Sequence, residues 1–288
     1  MPPAAADLMD RAVRLAAEAD VALVIVENPP GMEAEGHDRP SMHLPAAQNE
    51  LITRIAEVNP CTVVAVNTGG PVTMPWADKV GAIVQMWFPG QELGGSLADL
   101  LTGVVNPAGK LPTTFPVRAK DSPSWRHYPG TDGEVHYTEG LAMGYRGLEV
   151  PGSPAPLFPF GFGLSYSTFV LGAAEVATCG SLDDPSYAVT VTVTNTSDRP
   201  GREVVQLYAR LGGAERPFWE LKASASVEVA PGATEAARLH VPARKLRVWS
   251  DAGWAAPADP VDVRIGTSSA DLPITLQLPE AGSPAGLR

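Results

Sequence analysis

The 288-residue sequence has few cysteines and no long apolar run. Cys61 and Cys179 lie far apart without metal-ligand spacing around them, so neither a disulfide framework nor a zinc site is predicted. No run approaches the roughly 18 apolar residues of a membrane span. Residues 1–20 lack the apolar core of a signal peptide. We therefore expect a cytoplasmic protein with no membrane segment and no cofactor.

Positive charge is also scarce. Lys and Arg number 21 against 32 Asp and Glu, and the formal net charge is −11. Nucleic acid and anionic membranes would repel such a chain, whereas neutral ligands such as sugars would not be repelled. The hydrophobic content of 44% is typical of globular proteins, and the length allows two domains.

The first part of the sequence, from about residue 7 to 116, alternates between helical and strand periodicity. Apolar runs of strand length occur at 21–26, 62–66 and 82–87, and helical spacing separates them. The first of these runs is continuous, which predicts a strand covered on both faces. Repeated βα units predict an α/β sandwich, a largely parallel sheet flanked by helices, over residues 1–120.

The second part of the sequence is interpreted as a β-sandwich. Residues 117–170 are rich in Pro, Gly and aromatics, and we expect 121–184 to form a connecting segment that packs on both domains. Val and Thr alternate over 189–194, and about seven short strands with Pro/Gly turns follow. They predict an immunoglobulin or fibronectin III type of sandwich over 185–280. A disordered tail is predicted at 281–288.

The loop after the first strand, residues 27–40, is dense in ionisable side chains. In open α/β sheets, ligands bind beyond the carboxyl ends of strands. One interpretation is an acidic surface loop held by an Asp38–Arg39 ion pair, and another is a metal site formed by Glu35, His37 and Asp38. A third is a catalytic loop. The ionisable residues are Glu27, Glu33, Glu35, His37, Asp38 and Arg39.

A series of motifs runs through nearly the whole chain in a fixed order: EGHDRPSMHLP at 35–45, NPCTVV at 59–64, GPVTMPW at 70–76, WFPGQE at 87–92, NPAGKLP at 106–112 and PFGFGLSY at 159–166. They resemble the C-terminal part of family 3 glycoside hydrolases of the β-glucosidase type. Further motifs at 193–196, 203–208 and 266–269 resemble the fibronectin III-like domain that closes many such enzymes.

The resemblance implies a retaining glycosidase that acts on β-linked sugars, β-glucosides first among them. Such an enzyme needs two carboxyl groups roughly 5–5.5 Å apart across the scissile bond. In the family the acid/base comes from the loop matched at 35–45, so Glu35 inherits that role. Glu33 and Glu27 are the alternatives.

The family's attacking aspartate lies on a (β/α) barrel, which needs roughly 200 residues or more. The sequence has no room for a barrel and no Ser-Asp-Trp-like nucleophile segment. We therefore expect a C-terminal portion that is inactive without a barrel, which a separate chain could supply. The alternative is a non-catalytic carbohydrate- or protein-binding module, or a structural remnant. The family also has additional strands before the first helix, so the sheet is expected to expose apolar surface or an unpaired strand.

Two further residues of the motifs have structural interpretations. Trp87 is predicted to lie in the core or at a domain interface rather than to serve as a sugar platform. Glu92 is predicted to be a helix N-terminal acid rather than a catalyst.

Overall fold

The computed structural model describes residues 5–29, 31–32, 34–36, 39–181, 184–212, 216–257 and 260–279. The chain forms two compact units, Met1–Ala98 with Phe115–Ala119 and Asp99–Thr114 with Lys120–Arg288. Residues 99–114, which the sequence places in the α/β domain, thus cluster with the second unit. The tail predicted at 281–288 lies outside the described residues. Among the described helices none is long and apolar enough to cross a bilayer.

The first unit contains a parallel three-stranded sheet in the order β1-β2-β3. Helix α2 connects β1 to β2, as a βα unit requires, whereas residues 68–81 connect β2 to β3 without a helix. Fully or almost fully buried apolar side chains of β1, β2 and α2 form its core, among them Val24, Val26, Ile52, Ile55, Val64 and Val66. The elements of this unit are α1 (Ala5–Glu18), β1 (Ala22–Glu27), α2 (Ala46–Val58), β2 (Thr62–Asn67) and β3 (Ala82–Gln85). Helix α3 (Leu93–Leu101) begins in the first unit, and its last three residues cluster with the second.

Strand β1 is buried on one face only, so the prediction that it is covered on both faces is wrong. Val24 and Val26 point into the core, whereas Leu23 and Ile25 are 43% and 54% exposed. The exposure of these two side chains shows that no described segment covers this face of β1. Among the described strands β1 pairs with β2 alone, at one edge of the sheet. The described part of the chain places no strand along its outer side. This agrees with the expectation of exposed apolar surface on the sheet.

The second unit contains two antiparallel sheets, in the orders β4-β5-β8 and β12-β11-β6-β7, as predicted for a β-sandwich. Alternate residues of β5, Val189, Val191 and Val193, are fully buried in one core with residues of both sheets. A short hairpin, β9-β10, forms a separate sheet. The strands are β4 (Phe169–Gly180), β5 (Pro185–Asn195), β6 (Gly201–Arg210), β7 (Glu220–Val229), β8 (Thr234–Pro242), β9 (Val248–Ser250), β10 (Gly253–Ala255), β11 (Asp262–Gly266) and β12 (Ile274–Gln277).

Strand β4 is a difference from the sequence interpretation, which placed 169–180 in the connecting segment. It pairs along its length with β5 and so belongs to the sandwich. The segment before it contains the short helix α4 (Tyr145–Leu148) and two 3-10 turns, Ala119–Asp121 and Pro123–Arg126.

Asn106 explains why residues 99–114 cluster with the second unit. Its side-chain nitrogen donates to the Ser167 hydroxyl at 2.8 Å and to the Pro200 carbonyl at 2.9 Å. Its side-chain oxygen accepts from the Ser165 hydroxyl and the Tyr166 backbone N–H. This motif residue therefore joins three segments that are distant in sequence.

Two acidic side chains with opposite titration behaviour lie beside α4 and β7. Burial raises the pKa of Glu149 to about 7, although the Trp219 backbone N–H and the Ser269 side chain bind its carboxyl group and act in the other direction. Burial would also raise the pKa of Glu220, but Lys222 and Arg216, at 3.0 and 2.6 Å, hold it below its ordinary value. Glu149 has no such cationic partner among the causes of its shift, so burial dominates there.

Candidate active site

The carboxyl ends of the three parallel strands lie at one edge of the sheet. The strand register pairs Glu27 of β1 with Asn67 of β2, and Val66 with Gln85 of β3. The loops that follow these residues therefore leave the sheet side by side. This is the edge at which ligands bind in open α/β sheets.

Glu27 forms the base of the loop that carries the candidate acid/base, here called the carboxylate loop (residues 27–45). The Gln48 side chain accepts from the Glu27 backbone N–H at 3.0 Å and donates to its carbonyl at 2.9 Å. The Glu27 carboxylate accepts from the Asn67 amide nitrogen at 3.3 Å. Main chain and side chain of Glu27 are thus both bound by residues of neighbouring elements.

Glu35 lies near the tip of the carboxylate loop, in a turn and exposed. Gly31 and Gly36 have positive φ angles of 88° and 75°, a conformation that side-chain-bearing residues rarely adopt. No atom lies within 4 Å of an added Cβ at either glycine, so backbone conformation rather than space requires them. Glu33, His37 and Asp38 lie outside the described residues.

Residues 39–43 of the carboxylate loop are hydrogen-bonded to the segment after β2. The Arg39 guanidinium donates to the Pro71 carbonyl at 2.7 Å. Thr73 N–H donates to the Met42 carbonyl, and His43 forms a parallel bridge with Thr73, whose hydroxyl lies 2.5 Å from His43 Nδ1. These contacts fix residues 39–43 of the loop.

The end of the loop enters the core before α2 begins. Leu44 is almost fully buried, and its carbonyl accepts from the Asn49 side chain at 3.1 Å. Asn49 also accepts from the indole N–H of the fully buried Trp76 at 2.8 Å. The exposed tip with Glu35 therefore stands between two fixed ends.

The two non-catalytic interpretations of the loop depend on residues outside the described set. The Asp38–Arg39 ion pair stays a prediction, because Asp38 lies outside the described residues; Arg39 also donates to the Pro71 carbonyl. The metal site of Glu35, His37 and Asp38 also stays a prediction. Among the described residues no group of three or more His, Cys, Asp or Glu could hold a metal ion.

Sequence reasoning missed two polar side chains at the same sheet edge. Asn67 Oδ1 and Gln85 Oε1 are buried acceptors without a hydrogen-bond partner in the described structure. The Gln85 amide nitrogen donates to the Thr68 carbonyl and hydroxyl, both at 3.2 Å, which orients its oxygen. Unsatisfied buried acceptors are rare and cost about 1–3 kcal/mol each. They are suited to receive hydroxyl or N–H donors, and their only sequence signal is a polar residue that ends a buried strand.

The two motif residues after β3 behave largely as predicted from sequence. The Trp87 ring packs edge-on against the buried Phe115, at 6.1 Å between ring centroids. Its φ of 58° is uncommon for a bulky residue and marks a strained backbone at the end of β3. Glu92 lies in the 3-10 turn Gly90–Glu92 that leads into α3.

Two parts of the chain match family models. The sequence model of the "Glycosyl hydrolase family 3 C-terminal domain" matches residues 4–166, more than half of the chain. The chain belongs to glycosyl hydrolase family 3. A "Fibronectin type III-like domain" matches residues 203–269, within the antiparallel sandwich. The resemblance noted in the sequence, and the α/β plus fibronectin III-like fold class that it implied, are confirmed.

Curated relatives of this family 3 chain include β-glucosidases. It is 44% identical over 278 residues to "Beta-glucosidase" of Rhizobium radiobacter and 41% identical over 283 residues to "Beta-glucosidase B" of Emericella nidulans. The matches cover 93% and 92% of this chain but 34% and 33% of the relatives. The chain therefore spans about a third of the length of the curated relatives it matches.

Solved structures give the same result. A β-glucosidase from Streptomyces venezuelae, in complex with D-glucose, superposes with a TM-score of 0.86 at 37% identity, over 96% of this chain and 36% of that chain. A family 3 β-glucosidase from Bifidobacterium adolescentis gives 0.88 at 37% identity, over 96% and 41%. Both likenesses extend across the α/β unit and the sandwich of this family 3 chain.

Proposed function

We propose that this family 3 chain supplies the general acid/base, Glu35, of a retaining β-glucosidase whose nucleophile lies on polypeptide outside these 288 residues. Family membership carries the reaction class, and the names of the relatives suggest β-glucosides as substrates. The assignment of Glu35 is supported by its position. Its carboxyl group is exposed on a loop at the edge of a parallel sheet where ligands ordinarily bind.

The mechanism requires a carboxyl group that is exposed to substrate and water yet held in place. In a retaining enzyme the acid protonates the leaving oxygen and then, as a base, activates the water that releases the sugar. Glu35 is exposed, while the ends of its loop are bound by Gln48 on one side and by the Thr73 region on the other. This arrangement supports both proton transfers from one position.

Glu27 is less suited to this role than Glu35. Its carboxylate accepts a hydrogen bond from Asn67 at the sheet edge, and its main chain is bound by Gln48. These bonds favour a role in fixing the base of the loop. Glu33 remains an alternative that only substitution can test.

The second carboxylate has to come from elsewhere in the assembled enzyme. Retention needs a nucleophile roughly 5–5.5 Å from the acid/base. Across the described ranges the parallel strands number three and do not form a (β/α)8 barrel. We therefore expect the purified 288-residue chain to release little or no nitrophenol from an aryl β-glucoside. Robust release by this chain alone would overturn the proposal that its nucleophile lies elsewhere.

Substitution of Glu35 in a full-length enzyme that carries this sequence tests the assignment. Loss of a general acid/base lowers the rate by about 10²–10⁴-fold. Glu35→Gln should show that loss in kcat/KM with alkyl glucosides and a much smaller loss in kcat/KM with dinitrophenyl glucoside, whose leaving group needs no proton. With dinitrophenyl glucoside the loss of the base should instead lower kcat, and azide, which attacks without a general base, should restore it.

Two matched substitutions act as controls. Glu50→Gln, on the exposed side of α2, should leave the rate of hydrolysis of both substrates unchanged. If Glu33→Gln gives the leaving-group pattern and Glu35→Gln does not, the acid/base is Glu33. Binding of glucosides by the full-length protein without hydrolysis of any of them would favour the non-catalytic binding module instead.

A further inference from the structure

The β9–β10 hairpin carries two exposed tryptophans on one face. Trp249 and Trp254 are cross-strand partners, so their side chains project to the same side. Their ring centroids are 5.5 Å apart with an interplanar angle of 72°. The hairpin forms its own two-stranded sheet, separate from both sheets of the sandwich.

The pair is not part of the core that the described residues form. Trp249 and Trp254 are 63% and 64% exposed, whereas Trp76 of the same chain is fully buried. Large aromatic side chains ordinarily contribute to stability by burying their area. Two neighbouring indoles that remain in water form an apolar patch, and such patches mark sites that bind a ligand or a partner.

The chemistry of the patch favours a ligand with an apolar face and many hydroxyl groups. Each indole offers a flat apolar surface and one N–H donor. A hexopyranose ring matches this, because its axial C–H groups form an apolar face while its hydroxyls accept hydrogen bonds. The edge-to-face arrangement of the rings makes a corner in which one sugar ring can lie against a flat indole face and touch the second ring.

Charge narrows the ligand class further. Arg247, just before the hairpin, and Asp251, in its turn, have opposite charges, so residues 247–255 have no formal net charge. The chain as a whole has a formal net charge of −11, which repels nucleic acid, anionic lipid and acidic polysaccharides. A neutral glycan is not repelled.

We propose that Trp249 and Trp254 form an auxiliary site that binds neutral β-linked glucan chains, outside the acid/base loop. The choice of β-linked glucans rests on the proposed function, whereas the site itself rests on the hairpin. A shallow site of two rings binds weakly, but it raises the local concentration of substrate chains for the enzyme that carries it.

Affinity electrophoresis of the 288-residue chain tests this. In native gels that contain mixed-linkage β-glucan, the wild-type chain should be retarded relative to a gel without polysaccharide. Trp249→Ala and Trp254→Ala should each weaken retention at least threefold, and the double variant should abolish it. Trp249→Phe, which keeps a flat ring, should retain most of it. Trp125→Ala removes another exposed indole, on the 3-10 turn Pro123–Arg126, and should leave retention unchanged.

Several results would overturn the proposal. One is equal mobility with and without β-glucan, and another is equal retention of the double variant. Equal retention by the α-linked polymer dextran would refute the β-linked class. The patch would be assigned to a second copy of the chain if light scattering shows a dimer that the double variant loses, while the glycan does not change the mobility of the protein. Glu35→Gln should not alter retention, so this proposal and the proposed hydrolysis fail separately.

Discussion

Replacing the Glu149 carboxyl group by an amide should change how the stability of the second unit depends on pH. Burial raises the pKa of Glu149 from its ordinary value of 4.5 to about 7, so the folded protein binds this proton more tightly than the unfolded chain does. The resulting stabilisation is fully present below pH 4.5 and is lost as pH rises through about 7. An amide side chain cannot ionise, so the Glu149→Gln variant should lack this part of the pH dependence.

The size of the effect follows from the two pKa values. At about 1.4 kcal/mol for each pKa unit, the difference between 4.5 and about 7 corresponds to about 3 kcal/mol. The side chain is not fully buried, and solvent screens part of the effect, so about 1–2 kcal/mol is the expected change. Glu149 Oε1 is buried without a hydrogen-bond partner in the described structure, which adds to the cost of a charge there.

The assay is urea denaturation of the wild-type chain and the variant between pH 4.5 and pH 8. Because the chain has two compact units, hydrogen exchange of the Leu221 amide, which donates to the Tyr145 hydroxyl, identifies the transition that belongs to the second unit. Glu149→Gln should gain stability relative to the wild type as pH rises. The control is Glu228→Gln, on an exposed site of β7, which should run parallel to the wild type. Parallel curves for Glu149→Gln as well would show that Glu149 is ionised when folded, and the reasoning from burial would be refuted.

Two further substitutions test the first unit. Ile25→Lys places a charge on the exposed face of edge strand β1 and should reduce self-association of the 288-residue chain, measured by light scattering, whereas Val104→Lys adds the same charge elsewhere and should not. If both substitutions reduce self-association equally, net charge alone explains the effect. Gln48→Ala removes both hydrogen bonds to the Glu27 main chain and should destabilise the first unit by about 1–2 kcal/mol, with faster exchange of the Glu27 amide. Unchanged exchange of that amide would show that Gln48 does not fix the end of β1.

Local sequence patterns predicted the helices and strands of this protein better than they predicted what packs against them. The apolar run at 21–26 predicted β1, which is observed at Ala22–Glu27. It could not show that Leu23 and Ile25 are exposed, because burial of a strand face depends on which segments cover it. Asn106 illustrates the same limit, since its partners lie 61 and 94 residues away and no local pattern encodes them.

The sequence also predicted some features of the candidate site and not others. Glu35 was identified by its resemblance to a motif, and the structure adds that it is exposed on a loop with fixed ends. The sequence could not predict that the Gln48 side chain binds the Glu27 main chain, because a single side-chain contact between two elements leaves no periodic pattern. The raised pKa of Glu149 was also beyond sequence reasoning, since a single Glu carries no signal of its burial.

The pairing between Gln48 and Glu27 also bears on how this protein could change over evolution. It closes the carboxylate loop at its mouth, next to the sheet, while the Thr73 contacts close the other limb. Residues inserted or deleted at the tip would then alter only the segment beyond these contacts, and a doubling of its length costs about 0.6 kcal/mol in closure entropy. The length of this loop could therefore change without disturbing the sheet that holds it.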